Sequence, residues 1–323
     1  MLTATNRRKK ENVKTFYSRP CYNEEEVLPI SSKVLLDFLK RMIAKNKVST
    51  ESSILFVDDG SKDKTWAIIK RLSEQEEHFK GLKFSRNFGH QNALLAGMTT
   101  AVQFADMIVT IDADLQDDVE AIEGMIDAYH DGNDVVYGVR SNRDTDTAFK
   151  RKTAEMFYSF MNKLGVNTVP NHADFRLMSN RATKVLLTFK EENLFLRGMV
   201  PLVGFPSTKV YYSRNIRVAG ESKYPLKKML NFAMEGITSF SIVPIKMVRN
   251  IGFITLLIGI FYMIYSLIQH FTGNVEAGWS SLIISIWFLG GIQLISLSIV
   301  GEYIGKIYSE VKGRPRFIIE EEV

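Results

Sequence analysis

Residues 107–118 read MIVTIDADLQDD. An apolar run closes on Asp112, and a second carboxylate, Asp114, follows one residue later. Like charges gathered at the tip of a buried strand repel each other unless a cation offsets them. Upstream, SSILFVDDGS (52–61) has the same plan: an apolar run, then Asp58, Asp59 and a glycine. Downstream, NDVVYGVR (133–140) is apolar as far as Arg140. GLKFSRNFG (81–89) reads as a further strand and turn. Between these runs, KDKTWAIIKRLSEQ (62–75), HQNALLAGMTTAVQF (90–104) and DVEAIEGMIDAYHDG (118–132) carry helical patterning.

Strands alternating with helices predict an α/β domain, Rossmann-like, with a mostly parallel sheet covered by helices. ILFV and MIVTI are continuous apolar runs, as strands buried on both faces should be. Ligands of open α/β sheets bind beyond the carboxyl ends of the strands. Asp58, Asp59, Asp112, Asp114 and Arg140 all fall at such ends. One acid alone is explained as a helix cap or turn residue, and Asp63 and Asp118 are read that way. Acids gathered on one edge suit a hard divalent cation, Mg²⁺ or Mn²⁺, which fills its sphere with substrate phosphates. Neither GxGxxG nor GxxxxGK[ST] follows the strands, which excludes a dinucleotide dehydrogenase and a P-loop nucleotidase. His90 and His172 are read as a helix-start and a loop residue, and Met98, Met125, Met156 and Met161 as core fillers.

The chain has 323 residues with 41 basic and 36 acidic side chains, a net charge of +5. That balance fits anionic substrates or an anionic surface and is too weak to imply nucleic acid. Cys21 is the only cysteine, so no internal disulfide forms. The opening MLTATNRRKKENVKTFYS has no apolar core of a secretory signal.

Two stretches carry no charge, NIGFITLLIGIFYMIYSLIQ (250–269) and AGWSSLIISIWFLGGIQLISLSIVG (277–301). Each is long enough to cross a hydrocarbon core of about 30 Å. The alternative, a pair of buried core helices, fits poorly with apolarity all round. Tyr262, Tyr265, Trp279 and Tyr303 lie near the ends, where interfacial aromatics collect. The short connection HFTGNVE lacks Lys and Arg, whereas Lys227, Lys228, Lys246 and Arg249 precede the pair and Lys306, Lys312, Arg314 and Arg316 follow it. The positive-inside rule then predicts a hairpin with both termini in the cytoplasm. Residues 226–247 read either as an amphipathic helix in the membrane interface or as an ordinary surface helix. The predicted layout is therefore a cytoplasmic domain over 1–225, interfacial helices over 226–247, a transmembrane hairpin over 248–304 and a cytoplasmic tail over 305–323.

Seven motifs carry a resemblance: PCYNEEE (20–26), VDDGSKDKT (57–65), FSRNFGHQNALLAGM (84–98), DADLQD (112–117), YGVR (137–140), DFRLM (174–178) and RVAGESKYPL (217–226). Together they resemble the polyisoprenyl-phosphate glycosyltransferases, dolichol-phosphate-mannose-synthase-like members of the inverting family-two transferases. The closing LGGIQLISLSIVGEYIGKIYSEVKGRPRF is most similar to the bacterial bactoprenol glucosyltransferases. The resemblance implies a GT-A fold, a nucleotide-sugar donor, a divalent metal, a polyprenyl phosphate acceptor and a place in the bacterial inner membrane. It carries Pro20, Tyr22, Glu24, Val57, Asp59 and Ala113 to the nucleotide-sugar pocket, with Arg217 and Lys223 on a loop over the donor. Asp112, Asp114 and Gln116 fall at the metal, and Arg140 faces phosphate. Arg151, Arg176 and Ser222 are assigned to the acceptor phosphate. Association into a homo-oligomer is compatible with it.

The chain departs from the family pattern in two places. The segment before PCYNE reads NVKTFYSRP, poor for a central buried strand, so this end of the sheet is expected to be short or damaged. Asp118 and Val119 stand where prolines are usual. Two other readings remain. A processive polysaccharide synthase would carry QxxRW and more spans, and FLRGM (195–199) is not that motif. A catalytically impaired relative would follow from the altered first strand. The donor sugar stays open between glucose, mannose and an aminosugar.

Overall fold

The structure, a computed structural model, describes residues 13–113, 116–141, 172–192, 194–213, 243–272 and 279–323. Asp114, Arg151, Arg217, Ser222, Lys223, Met156, Met161 and most of the expected interfacial segment lie outside them. The described residues fall into two compact units. One holds the sheet and includes residues 314–323; the other holds the two long helices.

In the first unit the chain order is β1 (Thr15–Cys21), α1 (Leu28–Ala44), β2 (Ser53–Asp58), α2 (Thr65–Gln75), β3 (Phe79–Phe84) and α3 (His90–Ala101). It continues with β4 (Met107–Thr110), α4 (Ala121–His130), β5 (Val135–Arg140), β6 (His172–Ser179), α5 (Asn180–Leu187), α6 (Leu196–Met199) and β7 (Ser207–Tyr212). The last strand is β8 (Ile319–Glu322). The sheet runs β7-β5-β6-β4-β1-β2-β3-β8. The expected strands and helices between 52 and 140 are all present. The sheet is mostly parallel, as expected, with two exceptions that make it mixed: β6 runs antiparallel to β4 and β5, and β8 antiparallel to β3. Strand–helix alternation reports only the parallel part. Neither β6 nor β8 belongs to that alternation.

The expected weakness of the first strand is also corrected. β1 pairs with β2 on one side and β4 on the other, and all seven of its residues are buried. Several of its polar residues meet a specific neighbour, although the Thr15, Tyr17 and Ser18 hydroxyls have no hydrogen-bond partner among the described residues. The Thr15 amide donates to Ser52 Oγ at 3.0 Å. Ser18 packs on Gly97 of α3, where a Cβ would stand 1.9 Å from the Ser18 hydroxyl. The Arg19 guanidinium donates to the Ala113 carbonyl and lies 5.9 Å from the Phe56 ring centroid. Pro20 is tolerated centrally because of its direction. Ser18 gives its carbonyl to the Ile111 amide and Cys21 to the Asp59 amide, so Pro20 faces the β4 side, beyond the last β1–β4 pair, Ser18–Thr110.

Helix α1 places Leu28, Leu35, Phe38, Leu39 and Met42 on one buried stripe. It ends where Asn46 adopts φ +54°, the left-handed cap geometry that asparagine tolerates. Its apolar face shares the core with Ile122, Met125 and Ile126 of α4. Arg41–Glu120, Lys45–Glu123 and Lys47–Asp127 pair across the rim of that contact. These exposed pairs are worth at most about 1 kcal/mol each, so apolar burial does most of the joining.

In the second unit, α7 (Val243–Phe271) starts before the first expected span and α8 (Trp279–Lys312) runs on past the end of the second. Helix α8 continues past Gly301 through charged Glu302, Lys306 and Glu310. Both helices present large apolar side chains outward, among them Phe253, Ile258, Phe261, Leu294 and Leu297. Among the described residues, one helical stretch, Phe288–Lys312, is long and apolar enough to cross a membrane. The expected 305–323 tail is divided: 305–312 extends α8, and 319–322 is β8, a strand of the sheet.

Candidate active site

The carboxyl ends of β1, β2, β4 and β5 form one rim. Asp59 follows the last β1–β2 pair, Cys21–Asp58, and its amide donates to the Cys21 carbonyl at 2.9 Å. Asp112 stands two residues past Thr110, the last residue of β4. Arg140 ends β5. Antiparallel β6 enters the sheet at this same rim, because Arg176 pairs with Thr110, and so it delivers Asp174 there.

Two turns build one wall of the rim by bonding to each other. The Asn23 amide donates to Ser61 Oγ and the Lys62 amide to Asn23 Oδ1, each at 2.9 Å. The Glu24 amide donates to Thr65 Oγ1 at 2.9 Å, and Tyr22 is left half-exposed. Asn23 takes φ +54° to make this turn. Gly60, at φ +68°, lets the VDDGS turn approach the 86–87 backbone; a Cβ there would stand 2.4 Å from the Arg86 carbonyl carbon. Asp63 and Asp118 act as turn residues, accepting from the Thr65 and Glu120 amides at 3.0 Å.

Asp59 is buried, and its carboxylate accepts from the Phe88 amide at 2.6 Å and the Gly89 amide at 2.9 Å. Burial raises its pKa, and the Phe88 and Gly89 amides and His90 offset this only in part. His90 Nε2 lies 3.4 Å from Asp112 Oδ1 and 3.8 Å from Asp174 Oδ2. His90 does begin α3, as expected, but it also joins the acids of two strands. Burial pulls its pKa down; the hydrogen bond to Asp174 and the charges of Asp112 and Asp174 outweigh that, and the net direction is up.

Asp174 is a hub that the sequence reading missed. It accepts from Arg176 at 2.5 Å and from Arg197 at 3.0 Å, besides facing His90. Burial alone would raise its pKa, but His90, Arg197 and Arg176 hold it well below the usual carboxylate range. Arg176 is 1% exposed and engaged by Asp174 and the Leu196 carbonyl, so its guanidinium lies inside the hub. A second missed pair anchors Arg140. Its Nη2 lies 3.3 Å from Asp117 Oδ1 and its Nε 3.3 Å from Tyr212 Oη, while that hydroxyl also donates to Asp117. DFRLM and DLQD were quoted for their motifs; nothing in their spacing reveals that Asp174 meets Arg197 or that Asp117 meets Tyr212.

Val57, Pro20, Ala113 and Gln116 are all buried. Among the described residues, no group of three or more His, Cys, Asp or Glu is placed to share a metal ion. A hard divalent ion does not require such a cage, since Mg²⁺ commonly takes one or two carboxylates and completes its sphere with water and substrate phosphate. The Asp112 carboxylate and the Gln116 carboxamide offer the oxygen donors such an ion prefers, so the donor set fits.

The glycosyl transferase family 2 model matches residues 20–187, which run from the end of β1 through α5 and include every described rim residue named above except Leu196, Arg197 and Tyr212. The chain is 52% identical over 301 residues to the uncharacterized glycosyltransferase YkoT of Bacillus subtilis (strain 168), covering 93% of this chain and 89% of that one. It is 41% identical over 304 residues to the bactoprenol glucosyl transferase of Shigella phage SfII, covering 94% and 96%. Among solved structures, a glucosyl-3-phosphoglycerate synthase from Mycobacterium tuberculosis in complex with Mn²⁺ and UDP-glucose aligns with a TM-score of 0.44 at 14% identity, over 70% of this chain and 78% of that one. The chain belongs to glycosyl transferase family 2.

Proposed function

We propose that this glycosyltransferase moves glucose from UDP-glucose to a polyprenyl phosphate at the cytoplasmic face of a bacterial inner membrane. The observation that carries the reading is the rim where Asp59, Asp112, Asp174 and Arg140 gather, in a chain that also bears long apolar helices. The 41% identity to a bactoprenol glucosyl transferase supports the choice of lipid and sugar.

The acceptor is a phosphate monoester with a second pKa of about 6, so it is largely anionic near neutral pH. A strong general base is therefore unnecessary. The protein must aim that oxyanion at the anomeric carbon and stabilise the departing nucleoside diphosphate. One displacement at that carbon inverts it, so an α-linked donor gives a β-linked lipid phosphate sugar. Asp112 and Gln116, with Asp114, would hold Mg²⁺ or Mn²⁺, which when bound supplies Lewis-acid charge neutralisation at the diphosphate. Arg140, fixed by Asp117 and Tyr212, offsets phosphate charge without losing side-chain freedom during the reaction. Asp59, its carboxylate fixed by two amides, faces the base or ribose, with Tyr22 and Glu24 on the same wall. Arg217 and Lys223 serve the donor, and Arg151 and Ser222 meet the acceptor phosphate. The two apolar helices form a hairpin with both termini in the cytoplasm.

The test incubates purified full-length protein, Mn²⁺ and undecaprenyl phosphate with radiolabelled UDP-glucose, GDP-mannose or UDP-GlcNAc. Label is expected in the organic phase from UDP-glucose. Label from another donor alone keeps the reaction and replaces the sugar, and no lipid-borne label from any donor overturns the reading.

A further inference from the structure

Strand β8 extends the sheet beyond β3, and both of its ends are held. At its far end Gly81 and Val323 exchange backbone hydrogen bonds of 2.7 and 3.0 Å. There Glu321 accepts from the Trp66 indole at 2.8 Å and pairs with Lys70. The near end lies at the rim. The Ser85 amide donates to the Ile318 carbonyl at 3.1 Å, and the Phe317 ring stacks on Phe84 with centroids 5.4 Å apart and planes 9° from parallel.

Phe84 in turn meets Phe88 edge to face, with centroids 5.6 Å apart. Phe88 and Gly89 supply the amides that fix the Asp59 carboxylate. Three rings in series thus connect the tail to the anchor of a rim acid. Phe84 is buried, so its contacts on the tail side and on the Phe88 side are coupled through one packed ring. The far-end contacts alone would secure an added edge strand. The stacked ring at the near end does something they do not: it backs the turn on which Asp59 depends.

We propose that Phe317 is a positioning residue of the donor pocket, stacking on Phe84 to hold the Phe88–Gly89 turn, and so Asp59, in the arrangement that receives the donor's nucleoside. The inference rests on reading the rim as a sugar-nucleotide site.

The test uses full-length Phe317→Ala and Phe317→Tyr in detergent, with two readouts. The first is amide hydrogen exchange over residues 84–89 without donor. The second is the division of any activity change between KM for UDP-glucose and kcat. Phe317→Ala is expected to speed exchange at Phe88 and Gly89 roughly three- to ten-fold, the range an aromatic pair supports. Its donor KM should rise by a similar factor with kcat within about twofold, and Phe317→Tyr should restore both. Unchanged exchange in Phe317→Ala overturns the proposal. So does exchange that rises equally across the whole sheet together with a fall in kcat, which marks a merely structural role. If wild-type protein turns over no donor, the reading of the rim fails, while the exchange measurement still decides the part played by Phe317.

Discussion

Asp174 illustrates how one buried carboxylate organises the rim. It faces His90, Arg176 and Arg197, and Arg176 is fully buried. Removing one partner of a buried pair leaves the other charge uncompensated, which costs about 3–5 kcal/mol. Asp174→Asn should therefore lower the unfolding free energy by that order in urea titrations. Adding Arg176→Met should recover a large part; a double variant no more stable than the single one contradicts the hub. The same groups set a pH dependence. Asp174 has a depressed folded pKa, so its contribution is present above the unfolded carboxylate value of about 3.9 and is lost as pH falls below it. His90 has a raised folded pKa, so its contribution is complete below about 6.5 and fades as pH rises through the folded value. Urea midpoints measured across pH should fall on both sides, and His90→Gln should flatten the alkaline limb alone. An alkaline limb that persists in His90→Gln contradicts the assignment.

At the scale of the element, β1 shows what patterning misses. NVKTFYSRP looks unsuited to a central strand because its polar residues are counted without their neighbours. Gly97 of α3 makes room for Ser18, and the Ala113 carbonyl receives Arg19. Gly97→Ala should test that fit. Alanine favours a helix by up to about 1 kcal/mol over glycine, whereas overpacking costs about 1–3 kcal/mol. Because the added Cβ would meet Ser18 Oγ at 1.9 Å and Val57 at 3.3 Å, overpacking should win and the thermal midpoint should drop. Ser18→Ala in the same chain should recover part of it, and a Gly97→Ala protein as stable as wild type contradicts the contact. Strands β2, β4 and β5 were legible because each is a short apolar run closing on an acid or arginine; β7, whose run STKVYY opens on three polar residues and closes on neither, was not. Strand β6 was not, because its antiparallel entry depends on pairing across 64 or more residues, Thr110 with Asp174 and Arg176. Asp112 and Asp59 were legible as strand-end acids; Asp117, Tyr212 and Arg197 act through tertiary contacts that leave no spacing signal.

At the scale of the whole molecule, the chain combines a mixed sheet whose rim collects charge with helices whose outward side chains are apolar. Outward Phe253, Phe261 and Leu294 would be a liability in water and are ordinary in lipid. Sequence composition anticipated the helices; it did not anticipate that the chain beyond them returns to the sheet as β8, since IIEEEV carries no strong strand pattern. The account turns on Asp112 as the rim acid that meets an ion-bound diphosphate. The direct measurement is turnover of UDP-glucose with undecaprenyl phosphate by full-length wild type and Asp112→Ala in Mn²⁺, with circular dichroism to show that both are folded. Several kcal/mol of charge stabilisation correspond to a loss of roughly 100-fold or more. That loss, in a variant with an unchanged spectrum, is the expected result; an Asp112→Ala protein that turns over at the wild-type rate contradicts the account.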